Sequence, residues 1–238
     1  LDPRDADPGP RIYNAGISGI LADEFPTIAG IVASRSEPRR AVIGLDYYMF
    51  SRADRSVRLD AGLATAIGRA NALLGSLVGR YAITDAWMDE VARADDPGYW
   101  TYEGFRVTPK LPPDQTVLNY GIRRRTTVAL QPATYASLDK ALDILEGREI
   151  DLYLAPVSPA QRRVLADLGL VGDFDRWRAD MKALAGRRGI RFHDLTVFGS
   201  EDGFDPKTGS TDAWLDNLHY TPVIGRQVLR ALGLRSRP

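Results

Sequence analysis

The sequence predicts an α/β protein with a mostly parallel sheet covered by helices. Short apolar runs bounded by turn residues alternate with segments whose apolar residues recur every three or four positions. The run at residues 41–50 begins as a continuously apolar stretch, which is typical of a strand buried on both faces. Parallel neighbours need crossover connections, and the intervening helices supply them. We therefore expect a three-layer α/β/α sandwich.

The N-terminal part predicts a β-α-β unit followed by a long helix. Its elements are a strand at residues 11–15, a Gly-bearing turn at 16–19, a helix at about 21–34, a strand opening the run 41–50, and a helix at 63–81. The last of these is predicted from apolar residues spaced by three and four on a single stripe.

The C-terminal part continues the alternation. A striped helix at 138–145 is closed by Gly147, and a buried strand follows at 150–155. Ser158-Pro159 and Thr221-Pro222 are helix starts, since a hydroxyl can cap and proline fits the first turn. Between them we predict a helix end near Gly169, a helix at 174–186 and a strand at 190–193.

The pattern fails between about residues 95 and 127, a stretch rich in Pro, Gly and aromatic residues. It is too long for an ordinary connection. We interpret residues 1–238 as one domain with an irregular insertion there. Its aromatic side chains could stack on a sugar, although packing onto the sheet is the more common role, and Arg123 to Arg125 could meet an acidic glycan, although such runs more often form a solvated charged loop.

Composition excludes several classes of function. The 238 residues carry 31 Lys and Arg against 31 Asp and Glu, so no global field attracts nucleic acid. Cysteine is absent and there are only two histidines, which makes a metal site unexpected, and we expect no cofactor. The chain contains neither a signal segment nor an apolar run of the roughly 20 residues that span a bilayer.

The segment Asp216-Asn217-Leu218-His219 is the strongest catalytic candidate. A carboxylate three residues before a histidine in a turn can fix the imidazole tautomer and stabilise the imidazolium. The motif is short enough to arise by chance. Its place before a helix N-terminus favours function, because the helix dipole disfavours imidazolium and Asp216 would restore basicity. His193 ends a strand, and we interpret it as structural.

A turn at residues 14–19 (NAGISG) follows the first predicted strand. Glycines there allow backbone amides to point at an anion, either a phosphate or the oxyanion of a tetrahedral intermediate. The turn matches neither the dinucleotide nor the P-loop fingerprint, so phosphate binding ranks low, and the glycines can equally serve only a tight turn.

Taken in order, NAGISG, the Gly-Leu-Asp of IGLDYYMF, and DNLHY before the last helix resemble the SGNH hydrolase (GDSL esterase) superfamily. The resemblance implies a flavodoxin-like sandwich in which Asp216 orients the general base His219. It places Gly19 at the oxyanion glycine of a turn that begins with Asn14. Asp46 stands where the family has an oxyanion-donating asparagine.

Two departures from the family bear on activity. An ionised Asp46 accepts hydrogen bonds and would repel an oxyanion. The block bearing the nucleophilic serine should precede the first strand, yet residues 1–10 contain no serine. Either that block lies upstream of Leu1 or the protein has the fold without the reaction; we favour the former. Ser18 lies inside the predicted oxyanion turn and outside a G-x-S-x-G elbow, so it is poorly placed to substitute as the nucleophile.

The opening segment, together with IGLDYYMF and APVSPAQ, resembles membrane-anchored SGNH-like proteins of bacterial envelope polysaccharide pathways. This resemblance implies a serine esterase or O-acyltransferase acting on acyl groups, chiefly acetyl, of a carbohydrate or another small ester. It also implies a periplasmic or cell-envelope location, with membrane contact only through an anchor upstream. The alternative is a non-catalytic glycan-binding or assembly module.

Overall fold

The computed structural model describes residues 20–35, 38–52, 99–100, 106–107, 113–201, 203–205 and 208–234. Within these ranges the chain combines helices with a parallel sheet of three strands: β1 (Arg40–Leu45), β4 (Glu149–Leu154) and β5 (Arg191–Asp194), in the order β1-β4-β5. Two further strands, β2 (Tyr99–Trp100) and β3 (Arg106–Val107), form an antiparallel pair. The α/β class predicted from the sequence is confirmed at this level. The predicted strand at 11–15 and helix at 63–81 lie outside the described residues.

Seven α-helices fall within the described ranges. They are α1 (Phe25–Arg35), α2 (Tyr48–Ser51), α3 (Pro113–Thr126), α4 (Tyr135–Ile144), α5 (Pro159–Asp167), α6 (Val171–Arg188) and α7 (Pro222–Ala231). Short 3-10 turns at Ala22–Glu24 and Pro132–Thr134 lead into α1 and α4. Helices α5 and α6 form the crossover that keeps β4 and β5 parallel.

Each face of the sheet carries its own hydrophobic cluster. Successive strand residues point to opposite faces, so Leu152 and Leu154 join one cluster and Tyr153 joins the other. Trp177 of α6 is fully buried in the first cluster, and Trp214 is fully buried in the second. Residues of β4 therefore contribute to a cluster on each face of the sheet.

Helix ends follow the local signals in the sequence. The Ser158 hydroxyl accepts a hydrogen bond from the Gln161 amide at 3.0 Å at the start of α5, and Thr221 accepts one from Val223 at 3.3 Å at the start of α7. Helix α6 runs past the predicted end at Gly186 and stops at Gly189. Gly189 has φ of 64°, a left-handed conformation that glycine adopts without steric cost.

The strand predicted to open residues 41–50 ends at Leu45. Asp46 Oδ1 accepts a hydrogen bond from the Tyr48 amide at 2.9 Å, which turns the chain into the short helix α2. The second half of the apolar run is thus helical. The side chains of Tyr47 and Phe50 are buried there against the cluster around Trp177.

The expected irregular stretch at 95–127 needs correction, because residues 113–126 form helix α3. Its buried residues are Thr116 and Arg123 rather than an apolar stripe, so hydrophobic periodicity could not reveal it. Its ends nevertheless carry helix signals: a proline and Asp114 in the first turn, and three arginines in the last. Helix α3 packs against α5.

A network of charged groups centred on the fully buried Asp151 ties the three sheet strands together. Its carboxylate accepts hydrogen bonds from Arg40 on β1 at 2.7 Å and from Arg191 on β5 at 2.9 Å, and it lies 3.0 Å from Nε2 of His193. Arg40 also donates to the carbonyl of Leu232 at the end of α7. The position of His193 in this network agrees with a structural role.

Among the described helices, none combines the length and the apolar character needed to cross a bilayer.

Candidate functional site

The candidate site lies at the edge where the parallel strands end. Leu45 of β1 is paired with Leu154 of β4, which is paired with Asp194 of β5, so the three strands finish level. The segments that follow them therefore start at one edge, where ligands bind in open α/β sheets. These segments contain Asp46, the loop 155–158, and the long loop from 195 to 221.

The long loop is shaped by backbone pairing around residues 213–221. The Leu215 amide donates to the His219 carbonyl at 2.7 Å, and the Thr221 amide donates to the Ala213 carbonyl at 2.8 Å. The Ser158 hydroxyl donates to the Asn217 carbonyl at 2.7 Å and so attaches the loop to the end of β4. The turn is thereby fixed to the sheet edge.

The carboxylate of Asp216 is fully buried and accepts hydrogen bonds on both oxygens. Oδ1 accepts from the backbone amides of Leu218 and His219, both at 2.7 Å, which closes the tight turn. Oδ2 lies 2.8 Å from Nδ1 of His219. Burial by itself would raise the pKa of Asp216, but the hydrogen bonds from His219 and from the backbone lower it below the ordinary value.

His219 reaches from this turn into solvent, with 68% of its side chain exposed. Because Nδ1 faces a carboxylate, that nitrogen carries the proton, and Nε2 is left with its lone pair. No described residue forms a hydrogen bond with Nε2. The hydrogen bond to Asp216 raises the pKa of His219 above the ordinary 6.5, although desolvation opposes the rise. The pair has the geometry of a general base and its orienting acid.

Helix α3 contributes two residues to this edge that the sequence patterns did not single out for it. Asn119 Nδ2 donates to Asp216 Oδ2 at 2.9 Å, and one turn further on, Arg123 donates to Asp46 Oδ2 at 3.0 Å. Residues four apart lie on the same helix face, so one face of α3 touches the segments after both β1 and β5. The i, i+4 pair of polar residues was the only local sign of this contact.

Arg123 is buried, with 5% of its side chain exposed, and its guanidinium lies 3.4 Å from the centre of the Tyr48 ring. Burial lowers the pKa of this arginine, while the charge of Asp46 opposes that effect. Its positive charge in turn lowers the pKa of His219, and the negative charge of Asp46 raises it. Asp46 and His219 therefore belong to one electrostatic environment.

The structure brings together three of the five predicted site residues. Asp216 and His219 form the pair described above. Asp46 lies at the same edge, and its two oxygens accept hydrogen bonds from Tyr48 and Arg123. As an acceptor on both oxygens, Asp46 is not set to donate to an oxyanion. Asn14 and Gly19 lie outside the described residues.

Within the described ranges, no three His, Asp or Glu side chains converge as a metal centre would require. No family model matches the chain, and no curated protein sequence or solved structure is significantly similar to it.

Proposed function

We propose that this chain is a three-layer α/β/α domain of SGNH type that hydrolyses or transfers acyl groups, chiefly acetyl, carried on a carbohydrate of the bacterial envelope. The observation that carries the proposal is the Asp216-His219 pair at the carboxyl edge of a parallel sheet, with the imidazole exposed to solvent. A buried acid that orients an exposed base is suited to activating a hydroxyl group.

In the proposed reaction, Nε2 of His219 takes the proton of a serine hydroxyl as the serine oxygen attacks the ester carbonyl. Asp216 stabilises the imidazolium that forms. The imidazolium then returns the proton to the departing sugar oxygen, leaving an acyl-enzyme that water or a second hydroxyl resolves. The resemblance places the serine ahead of the first strand, upstream of Leu1.

The proposal is tested by expressing the gene with its natural upstream coding region and measuring hydrolysis of p-nitrophenyl acetate and of an acetylated polysaccharide. His219→Ala should lower kcat by a factor on the order of 10³. His193→Gln is the matched control, because it changes the other histidine, and its kcat should remain close to wild type. Equal rates for wild type and His219→Ala would refute the proposal.

The pH dependence gives a second test. His219 acts as a base only when neutral, so kcat/KM should rise with pH and level off above the pKa of His219. Because Asp216 raises that pKa, the midpoint should lie above 6.5. A profile that is already level at pH 6 would exclude His219 as the base.

The Asp46-Arg123 ion pair favours the second candidate, a non-catalytic glycan-binding module, because a carboxylate occupies the place of a donor amide. A module of this kind would bind the carbohydrate with or without its acyl groups. Calorimetry with the deacetylated and acetylated polysaccharide distinguishes the two functions: equal affinity without product formation supports the binding module.

A further inference from the structure

One face of α3 connects the two acidic residues of the candidate site. Asn119 meets Asp216, and Arg123, one turn later, meets Asp46 while stacking on Tyr48. The buried, charge-paired Arg123 fixes the helix against the segment after β1. Asn119 is therefore presented to Asp216 from an element anchored independently of the histidine loop.

The contact made by Asn119 falls on the oxygen that serves His219. Asp216 Oδ1 is occupied by two backbone amides, whereas Oδ2 accepts both the Nδ1 proton of His219 at 2.8 Å and the amide of Asn119 at 2.9 Å. Two donors on one carboxylate oxygen share its acceptor capacity. A substitution at Asn119 should therefore change the basicity of the His219 imidazole by way of the carboxylate of Asp216.

We propose that Asn119 is a positioning residue for His219, acting through the carboxylate oxygen Asp216 Oδ2 that the two side chains share. It fixes the second oxygen of the carboxylate in the plane that receives the imidazole proton. It also takes part of the negative charge of that oxygen and so moderates the basicity of His219. The catalytic meaning of this inference rests on the proposed function.

The other charges that act on His219 are known and can be held constant. They are Asp216 in its own turn, Arg123 from α3, and Asp46 from the segment after β1. Replacing Asn119 by leucine removes a neutral donor of similar size and leaves all three in place. Asp216 Oδ2 then directs its full acceptor strength at Nδ1 of His219, and the imidazolium is favoured.

The test is a titration of both histidines by long-range ¹H-¹⁵N NMR correlation, using the full-length gene product. With only two histidines in the sequence, His193 reports on the sheet while His219 reports on the site. In Asn119→Leu the pKa of His219 should rise by roughly 0.5–1 unit, a fraction of the free energy of one hydrogen bond to a charged group, because the change reaches the imidazole only through Asp216. The NMR signals of His193 should not differ between the variant and wild type.

Gln115→Leu is the matched control, since it replaces an exposed amide by leucine one turn before Asn119 in the same helix, and His219 should not change. Asn119→Ala provides a second variant in case leucine disturbs folding. An unchanged or lower pKa of His219 in the Asn119 variants, a shift of both histidines, or an equal shift in Gln115→Leu would overturn the proposal. The titration needs no turnover, so absence of esterase activity would refute the proposed function and leave this inference standing.

Discussion

The buried carboxylate of Asp151 should contribute measurably to the acid stability of the protein. Burial by itself would raise its pKa, but hydrogen bonds from Arg40, Arg191 and His193 lower it to about 2, compared with 3.8 for a free aspartate. A group whose pKa is depressed by folding stabilises the native state above its unfolded value, and this contribution is lost as pH falls toward the folded value. The stabilising contribution of Asp151 is therefore lost between about pH 5 and pH 2.

The size of the effect follows from the two pKa values. Their difference of about 1.8 units, at 1.36 kcal/mol per unit, corresponds to about 2 kcal/mol at pH 6. By the same relation between pKa and stability, about half of this stabilising free energy remains at pH 3. The stability difference between wild type and Asp151→Asn should thus be about 1 kcal/mol smaller at pH 3 than at pH 6.

Urea unfolding between pH 3 and pH 6 measures this, because the buried Trp177 and Trp214 make tryptophan fluorescence report on both hydrophobic clusters. Asp139→Asn is the control. Asp139 pairs with Arg188 at the surface with 48% of its side chain exposed, and its removal should change the pH dependence little. A difference between wild type and Asp151→Asn that is the same at pH 3 and pH 6 would refute the reasoning.

Three further substitutions test local features of the structure. Asp216→Asn replaces the carboxylate that faces Nδ1 of His219 by an amide, so the pKa of His219 should fall and kcat of the full-length protein should drop by a factor on the order of 10³–10⁴. An unchanged NMR titration of His219 would contradict this. Ser158→Ala removes both the helix cap and the bond to the histidine loop, and should cost about 1–2 kcal/mol in urea unfolding, where a loss near zero would show that the cap is dispensable. Gly44→Ala would place a Cβ 2.5 Å from the hydroxyl of Tyr153, so thermal unfolding should show a loss of about 1–3 kcal/mol, and a wild-type melting temperature would mean that the ring moves freely.

Features that depend on a few neighbouring residues could be predicted from the sequence. The starts of α5 and α7 are set by Ser158 and Thr221, whose hydroxyls bond amides two or three residues ahead. The sequence analysis also predicts the strands β4 and β5 to within one residue at each end. In these segments local preference and burial in the fold point to the same structure.

Apolar content alone could not place the end of β1. The run 41–50 is apolar on both sides of Asp46, and a buried strand and a buried helix have the same composition over such a length. The deciding residue is Asp46, whose side chain bonds the Tyr48 amide and starts a turn. The resemblance assigns Asp46 to an oxyanion position, whereas the structure shows an aspartate whose side chain forms a turn.

The candidate site shows where sequence reasoning ends. The Asp216-His219 pairing is local, since a turn of three residues suffices to bring the carboxylate to Nδ1, and the spacing alone suggests it. The second donor on the same oxygen comes from Asn119, 97 residues earlier, on a helix without an apolar stripe. Only the packing of α3 beneath the histidine loop brings that amide to the carboxylate. A short motif can thus predict which residues pair, but the further contacts of that pair depend on the tertiary fold.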